Sequence, residues 1–310
     1  MNTGTIRRAQ LVAPFGVGAM SVLVDGTSII TAGLDHWYEA DDPDRLEEYR
    51  EHDWRLEARL RVKEFRLPPD YRRGKRGSDN RNVELTVPVL RFPRWHFCIY
   101  CKRLEKSVLS MTQAVFCQDK SHEAKGTRPR MSQVPFVVIC TAGHLDDFPF
   151  DKWVHRSHKP SCNGQLRLKP TGGDGLEGQR VVCDRCKAER SLRGITETVP
   201  GKEGDRTVLS HSLSSPDDPY LCVGARPWLS DHGRICGLPV RGALRAAGNV
   251  YFPKVESSIY LPRKEGLVSD EMRELMRNTE IRSAMRSLHR FLGAEIGAAI
   301  LRREIGRAHV

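Results

Sequence analysis

The sequence has 310 residues and a formal net charge of +11 at pH 7, from 50 Lys and Arg against 39 Asp and Glu. This length can bury one large or two ordinary cores, so a disulfide-stapled mini-protein is excluded. The positive excess favours a polyanionic partner, with nucleic acid as the first candidate and a merely solvated basic surface as the alternative. The sequence lacks an apolar run long enough for a transmembrane helix and any recognised motif for ATP hydrolysis, acyl transfer or zinc-dependent proteolysis.

The N-terminal region, residues 1–90, combines a hairpin, a helix and a basic loop. Two short β-rich runs joined by Asp25-Gly26 predict a hairpin over Met20–Ala32. Asp42-Pro43 offers an N-cap and a first-turn proline for a charged helix over 44–60. Between Trp54 and Asn82 the chain carries ten Lys or Arg against four Asp or Glu. We expect this stretch to contact DNA phosphates, although a solvated loop has the same composition; the candidate residues are Arg72, Arg73, Lys75, Arg76 and Arg81.

The middle region, residues 91–262, is predicted to be β-rich and to bind zinc. Its first C-x2-C follows a β-rich run, and the Ser, Asp, Gly and Pro content of Thr198–Pro219 predicts a long exposed loop. Beyond Ser269 an apolar stripe at helical spacing predicts an amphipathic helix within 263–303. The last residues, 304–310, can be back-translated to a common sequencing adapter, so we expect an artefact and a truncated chain. The predicted fold class is α+β, with short strands and zinc-knuckle-like cysteine sites.

Nine cysteines, an odd number, include two C-x2-C pairs, a spacing that suits thiolate metal sites in a reducing cytoplasm better than disulfides. We expect one or two structural Zn²⁺ ions. The first site takes Cys98, Cys101, Cys117 and His122, with Cys140 or His144 as alternative fourth ligands. The second takes Cys183, Cys186, Cys222 and Cys236, with Cys162 in reserve. A redox role for either C-x2-C pair remains open.

The stretch from Cys140 to His155 concentrates a thiol, two imidazoles and three carboxylates directly after the apolar run VPFVVI. A catalytic metal keeps one position open and places a base beside it, so Cys140, His144, Asp146 and Asp147 form a possible hydrolase or nuclease centre. The alternative is a hydrogen-bonding corner after a buried strand, with Pro149, Phe150 and Trp153 anchoring a short helix below it. We favour the corner.

Several segments resemble one known family in the same order, from about Arg7 to Pro262. They include RRAQLVAPFGVGAMSVLVDGTSIITAGLDHW, RLEARLRVKEFRLPP, RFPRWHFCIYC, CTAGHLDDFPFDKWVH, LCVGARPWL and RGALRAAGNVYFPKVESSIYLP. Together they resemble the DrmB family of bacterial DISARM anti-phage systems. Members of that family are about twice as long as this chain. They would carry a second C-x2-C at the first zinc site, where this sequence has Cys117 and then Lys120.

The resemblance implies a subunit without its own catalysis. Such a subunit would pair with a superfamily 2 helicase-like ATPase, bind DNA, and act with a DNA methyltransferase in the bacterial cytoplasm. It supplies no catalytic residue. Two alternatives remain at this stage: the metal-dependent hydrolase or nuclease, and a zinc-stabilised scaffold for protein interactions that never contacts DNA.

Overall fold

The computed structural model describes residues 6–38, 49–69, 86–172, 178–200, 206–229, 234–248, 250–258, 274, 277–284 and 286–287. The chain divides into two compact units, Met1–Glu256 and Ser257–Val310, and every strand named below lies in the first. The predicted amphipathic helix falls mostly outside the described residues, and the tail 304–310 falls entirely outside them. Small sheets with few helices confirm the α+β, β-rich class. Over the described residues, no helix has the length and apolar character to span a membrane.

The N-terminal sheet contains the predicted hairpin. Antiparallel pairing places Met20 opposite Ile30, and the Asp25 carboxylate accepts a 2.9 Å hydrogen bond from the backbone N–H of Thr27 inside the turn. The hairpin prediction is therefore confirmed. The sheet order is β1-β2-β5, with β1 at Met20–Val22, β2 at Ser28–Thr31 and β5 at Val89–Arg91. Two short 3-10 helices flank the hairpin, at Arg8–Leu11 and Leu34–His36.

Of the charged helix predicted over 44–60, the structure describes residues 49–60, and these are helical from Trp54 onward; residues 44–48 lie outside the described residues. The helix α1 covers only Trp54–Leu60, because the Asp53 side chain caps it by accepting from the N–H groups of Arg55 and Leu56. Before the cap the chain is extended and forms a two-stranded ribbon of β3 (Arg50–Glu51) and β4 (Phe65–Arg66). Within the described residues, capping by Asp53 and strand pairing therefore take the place of helix over residues 49–53.

A three-stranded sheet of order β7-β6-β8 follows, built from β6 (Trp95–Phe97), β7 (Leu104–Lys106) and β8 (Ser132–Gln133). The first C-x2-C turn connects β6 to β7, as predicted. The four-residue helix α2 (Lys120–Glu123) lies between β7 and β8.

The central sheet has the order β10-β9-β16. The apolar run predicted as a buried strand forms β9 (Phe136–Cys140), all of which is buried. It pairs antiparallel on one side with β10 (Leu145–Asp147) and on the other with β16 (Val240–Leu244). Helix α3 (Phe150–His155) follows β10 and buries the predicted Phe150 and Trp153. These aromatic rings fill the main core between the central sheet and the sheet that follows.

The last sheet, of order β11-β12-β13, contains β11 (Leu166–Pro170), β12 (Gln179–Cys183) and β13 (Glu189–Ser191). The Trp153 indole N–H donates to the Ser191 carbonyl at 3.0 Å, which joins α3 to β13. The exposed loop predicted over 198–219 is wrong in part. It contains the ribbon β14 (Thr198–Val199) and β15 (Arg206–Thr207), then helix α4 (Val208–Leu213), whose Leu209 and Leu213 are buried at i, i+4 spacing.

Candidate metal centres

Three clusters, each of three cysteines and one histidine, lie within the described residues. In every cluster the four candidate ligand atoms lie within 4.8 Å of one another. Together the clusters use all nine cysteines, and none forms a disulfide. Each residue set fits a tetrahedral thiolate and imidazole site, in which bonds of about 2.3 Å place neighbouring sulfur atoms about 3.8 Å apart. The first cluster is Cys98, Cys101, Cys117 and His122; the second is His155, Cys162, Cys183 and Cys186; the third is Cys140, His144, Cys222 and Cys236.

The first cluster is formed by the turn after β6, the following loop and helix α2. Cys98 Sγ lies 3.4 Å from His122 Nε2, and Cys101 Sγ lies 3.5 Å from Cys117 Sγ. Burial raises the pKa of the Cys98 thiol, but backbone N–H groups of Cys101 and Tyr100 directed at the sulfur give a net lowering. Such a turn stabilises a thiolate, the form that binds metal. The structure thus brings together the four residues that the sequence suggested for the first site.

The second cluster joins the end of helix α3 to the turn after β12. Cys162 Sγ lies 3.7 Å from Cys183 Sγ. The His155 ring binds the Asp151 carbonyl through Nδ1 at 2.7 Å, while its buried Nε2 meets no nitrogen or oxygen partner among the described residues and lies beside the cluster's sulfur atoms. A histidine that donates through one ring nitrogen presents the other as a metal ligand, so the orphaned Nε2 fits a metal site.

The electrostatics of the second cluster favour a thiolate at its buried cysteine. Burial raises the pKa of Cys183, but the backbone N–H groups of Cys186 and Arg185, together with His155, lower it to about 6. The neighbouring Gly164 passes so close that a Cβ there would lie 2.6 Å from Cys183 Sγ. The turn is therefore shaped around the sulfur atom.

The third cluster gathers its residues from distant parts of the chain. Cys140 is the last residue of β9, His144 immediately precedes β10, and Cys222 and Cys236 come from the segment between α4 and β16. Cys140 Sγ lies 3.4 Å from His144 Nδ1. Burial raises the pKa of the Cys222 thiol to about 12, and the Gly224 N–H, which lies 3.3 Å from the sulfur, opposes this rise.

The ligand set predicted for the second zinc site differs from the clusters in the structure. We predicted that Cys183 and Cys186 share a metal with Cys222 and Cys236, but the structure places the two pairs in different clusters. The reserve residue Cys162 and the unpredicted His155 complete the first pair, and Cys140 and His144 complete the other. His155 gave no sequence signal of its own. The Cys140-x3-His144 spacing did indicate metal ligands, but we assigned these two residues to the first site or to a catalytic centre.

The candidate catalytic carboxylates lie beside the third cluster but have other contacts. Asp147 is buried, and its carboxylate accepts a 2.8 Å hydrogen bond from the backbone N–H of Arg94 and pairs with the Arg94 guanidinium. Lys106 Nζ lies 3.7 Å from the same carboxylate. Asp146 lines a cavity of about 190 Å³ together with His144, Lys152, Tyr220 and Cys222. Asp147 is therefore held as a structural anion, whereas Asp146 faces open space.

A family model described as a domain of unknown function, DUF8724, matches residues 7–252. The chain belongs to this family. It is also 32% identical over 182 residues to the DISARM protein DrmB of Bacillus paralicheniformis, a match covering 56% of this chain and 28% of that protein. The resemblance to DrmB is thus confirmed, and the matched residues span less than a third of the relative.

All three clusters lie within the part of this DUF8724 chain that matches the family model. The predicted DNA-binding residues of the basic loop also lie in the matched range, but residues 70–85 are outside those that the structure describes.

Proposed function

We propose that this chain is a non-catalytic, zinc-stabilised accessory subunit of a bacterial anti-phage defence complex, and that it binds DNA together with a helicase-like ATPase. The observation that carries the proposal is the similarity to a DISARM protein, in a chain whose matched family domain contains three cysteine and histidine clusters. A family member without nucleotide-hydrolysis motifs needs a partner to supply ATP-driven movement. A methyltransferase of the same system would mark the DNA that is spared.

Structural Zn²⁺ in the first and second clusters is part of this proposal. Three thiolates and one imidazole form a closed donor set for Zn²⁺, with no position left for a substrate. In each cluster the first cysteine of the C-x2-C pair, Cys98 or Cys183, accepts hydrogen bonds from backbone N–H groups of a tight turn through its sulfur. We infer that the zinc ions rigidify a platform on which the basic loop and the partner dock.

The DNA-binding part of the proposal depends on the basic loop. Changing Arg72, Arg73, Lys75, Arg76 and Arg81 to Gln should weaken binding to forked DNA and lower the slope of log affinity against log salt by about one for each lost phosphate contact. The matched control changes Arg180 and Arg193, basic residues of the described surface, to Gln. Equal effects of the two sets would contradict a specific role for the loop.

The partner should be tested separately, by mixing the purified chain with a helicase-like ATPase of a DISARM system from the same bacterium. Co-elution together with a salt-sensitive shift of forked DNA supports the proposal. Co-elution without any change in DNA affinity supports the scaffold alternative. Absence of both a complex and a shift would refute the proposed function.

The hydrolase alternative rests on Asp146, which faces the cavity beside His144. An Asp146→Asn chain should support full defence against phage if no chemistry occurs there. Loss of defence by an Asp146→Asn chain that folds and retains its metal would favour the hydrolase. Asp147→Asn is less informative, because that carboxylate holds Arg94.

A further inference from the structure

We propose that the third cluster, Cys140, His144, Cys222 and Cys236, is a third structural metal centre that fixes the end of the central sheet. The sequence motifs that indicate zinc elsewhere in the chain are missing here, because no two of the cysteines form a C-x2-C pair. The donor set is nevertheless the same as in the other two clusters, and its four atoms also lie within 4.8 Å of one another. The ion expected from this donor set is Zn²⁺.

The local backbone around Cys222 resembles the turns of the other clusters. The Gly224 N–H lies 3.3 Å from Cys222 Sγ, and the N–H groups of Cys236 and Gly237 both donate to the Cys222 carbonyl, at 3.2 and 3.0 Å. Gly224 has a φ of +78°, and a Cβ at this position would meet the Arg234 carbonyl at 2.0 Å. The segments that carry Cys222 and Cys236 are thus held together by backbone hydrogen bonds, and their close approach at Gly224 leaves no room for a side chain.

The position of the cluster explains what a metal would do. Cys140 ends β9 and is the register partner of Val240, the first residue of β16. His144 begins the return into β10, and its carbonyl accepts from the Cys140 N–H at 3.3 Å. A metal bound here would therefore join both sides of the β9–β10 turn to the segment that precedes β16. The ion would close the long loop between His144 and Cys222. Such a closure stabilises the fold mainly by lowering the conformational entropy of the unfolded chain.

Alternatives to metal explain the cluster less well. A disulfide would pair two of the three thiols and leave a third thiol beside an imidazole, and all three cysteines are free. A catalytic metal needs an open position, whereas three cysteines and one histidine complete a tetrahedron. The cavity of about 190 Å³ lies next to His144 and Cys222, so it adjoins a closed site. These features favour a structural ion.

Metal counting on the purified 310-residue chain tests the proposal directly. Native mass spectrometry and elemental analysis should find three Zn²⁺ ions per chain, and replacement by Co²⁺ should give three tetrahedral, thiolate-bound ions. Cys236→Ser should reduce the count to two, and Cys186→Ser should also give two by loss from the second cluster. The double variant should bind one. Two ions in the unmodified chain, unchanged by Cys236→Ser, would overturn the proposal.

A second pair of variants covers the case in which Cys236→Ser fails to fold. His144→Cys keeps a metal ligand and should retain three ions, whereas His144→Ala should lose one and shift the thermal midpoint downward. Asp146→Asn should retain three ions, because its carboxylate is not a ligand. Equal metal contents of the His144→Cys and His144→Ala chains, both at two or both at three, would count against the third centre. DNA and helicase binding play no part in these measurements, so they test the centre independently of the proposed function.

Discussion

The first and second clusters differ from the third in how they are connected to the rest of the molecule. A single side chain, Arg167 of β11, joins the first two. Its Nε contacts the Asp184 carboxylate at 2.8 Å, inside the second C-x2-C turn. Its two other nitrogens contact the Cys101 carbonyl at 2.7 Å and the Asp119 carboxylate at 3.0 Å, both in the first cluster. The two turns are therefore neighbours linked by one guanidinium.

The third cluster, in contrast, lies at the edge of the turn that joins two strands of the central sheet. Cys140 ends β9 and His144 directly precedes β10, while Cys222 and Cys236 come from the segment before β16. The adjacent β10 is fixed to the β6 region through Asp147 and Arg94. A C-x2-C turn therefore makes a local metal site from neighbouring residues of the chain. The residues of the third cluster, in contrast, come together only when the central sheet has formed. Each prediction below affects one side of this comparison.

The largest expected effect is on the contact that fixes β10 to the β6 region. Asp147→Ala should destabilise the folded state by about 3 kcal/mol, because it leaves the Arg94 guanidinium without its buried partner. Chemical unfolding measures this difference. The matched control Asp146→Ala removes a half-exposed carboxylate that lies 3.8 Å from Arg94 and accepts from the Asp147 N–H at 2.7 Å, and it should cost only about 1 kcal/mol. Similar costs for the two variants would contradict the anchoring role of Asp147.

Glycine substitutions should separate the second cluster from the third. Gly164→Ala forces a Cβ to within 2.6 Å of Cys183 Sγ, and Gly224→Ala forces one to within 2.0 Å of the Arg234 carbonyl. Each should cost about 1–3 kcal/mol and weaken metal retention in its own cluster only. Gly248→Ala is the control, because a Cβ there meets nothing within 4 Å. Metal counts after a chelator challenge provide the measurement, and loss from the wrong cluster would contradict the assignment.

Removing the guanidinium link should affect the first and second clusters together. Arg167→Met keeps much of the side-chain volume but loses the contacts to both turns, and groups that orient metal ligands typically contribute about 10–100-fold to metal affinity. We expect about tenfold faster zinc release from both clusters and unchanged release from the third. Arg180→Met, which removes an exposed pair with Glu189, is the control. Faster release from only one cluster would show that Arg167 does not couple them.

The sequence was sufficient for the local features of this fold. The Asp25-Gly26 hairpin, the buried strand β9 and the first cluster all depend on residues close together in the chain, and the structure contains them. The C-x2-C spacing indicates its own turn, because both thiols must point at one ion. Similar reasoning placed Phe150 and Trp153 in the core.

The errors concern features set by tertiary contacts. Cys222 and Cys236 were assigned to the nearest preceding C-x2-C pair, but the pairing of Val240 with Cys140 brings their segment to β9 instead. Helix α4 was missed because the Ser, Asp, Gly and Pro content of the surrounding segment, Thr198–Pro219, is typical of a loop, whereas burial of Leu209 and Leu213 against the core favours a helix. Partners that are distant in the sequence leave no spacing to measure.

The smallest expected effect concerns the exposed ion pair of Asp25 and Arg130. Arg167, in contrast, is mostly buried between its two carboxylate partners. The Thr27 backbone N–H and the Arg130 guanidinium, at 3.0 Å, lower the pKa of Asp25 to about 2. A lowered carboxyl pKa stabilises the fold at pH values above the unfolded value, and this stabilisation is lost as the pH falls through about 2. Both side chains are about half exposed, so Asp25→Asn should cost less than about 1 kcal/mol. The difference in unfolding free energy between the two chains should stay constant from about pH 5 to about pH 8, where Asp is ionised in the folded and unfolded states. A slope in that range would show that Asp25 titrates there, contrary to its hydrogen bonds.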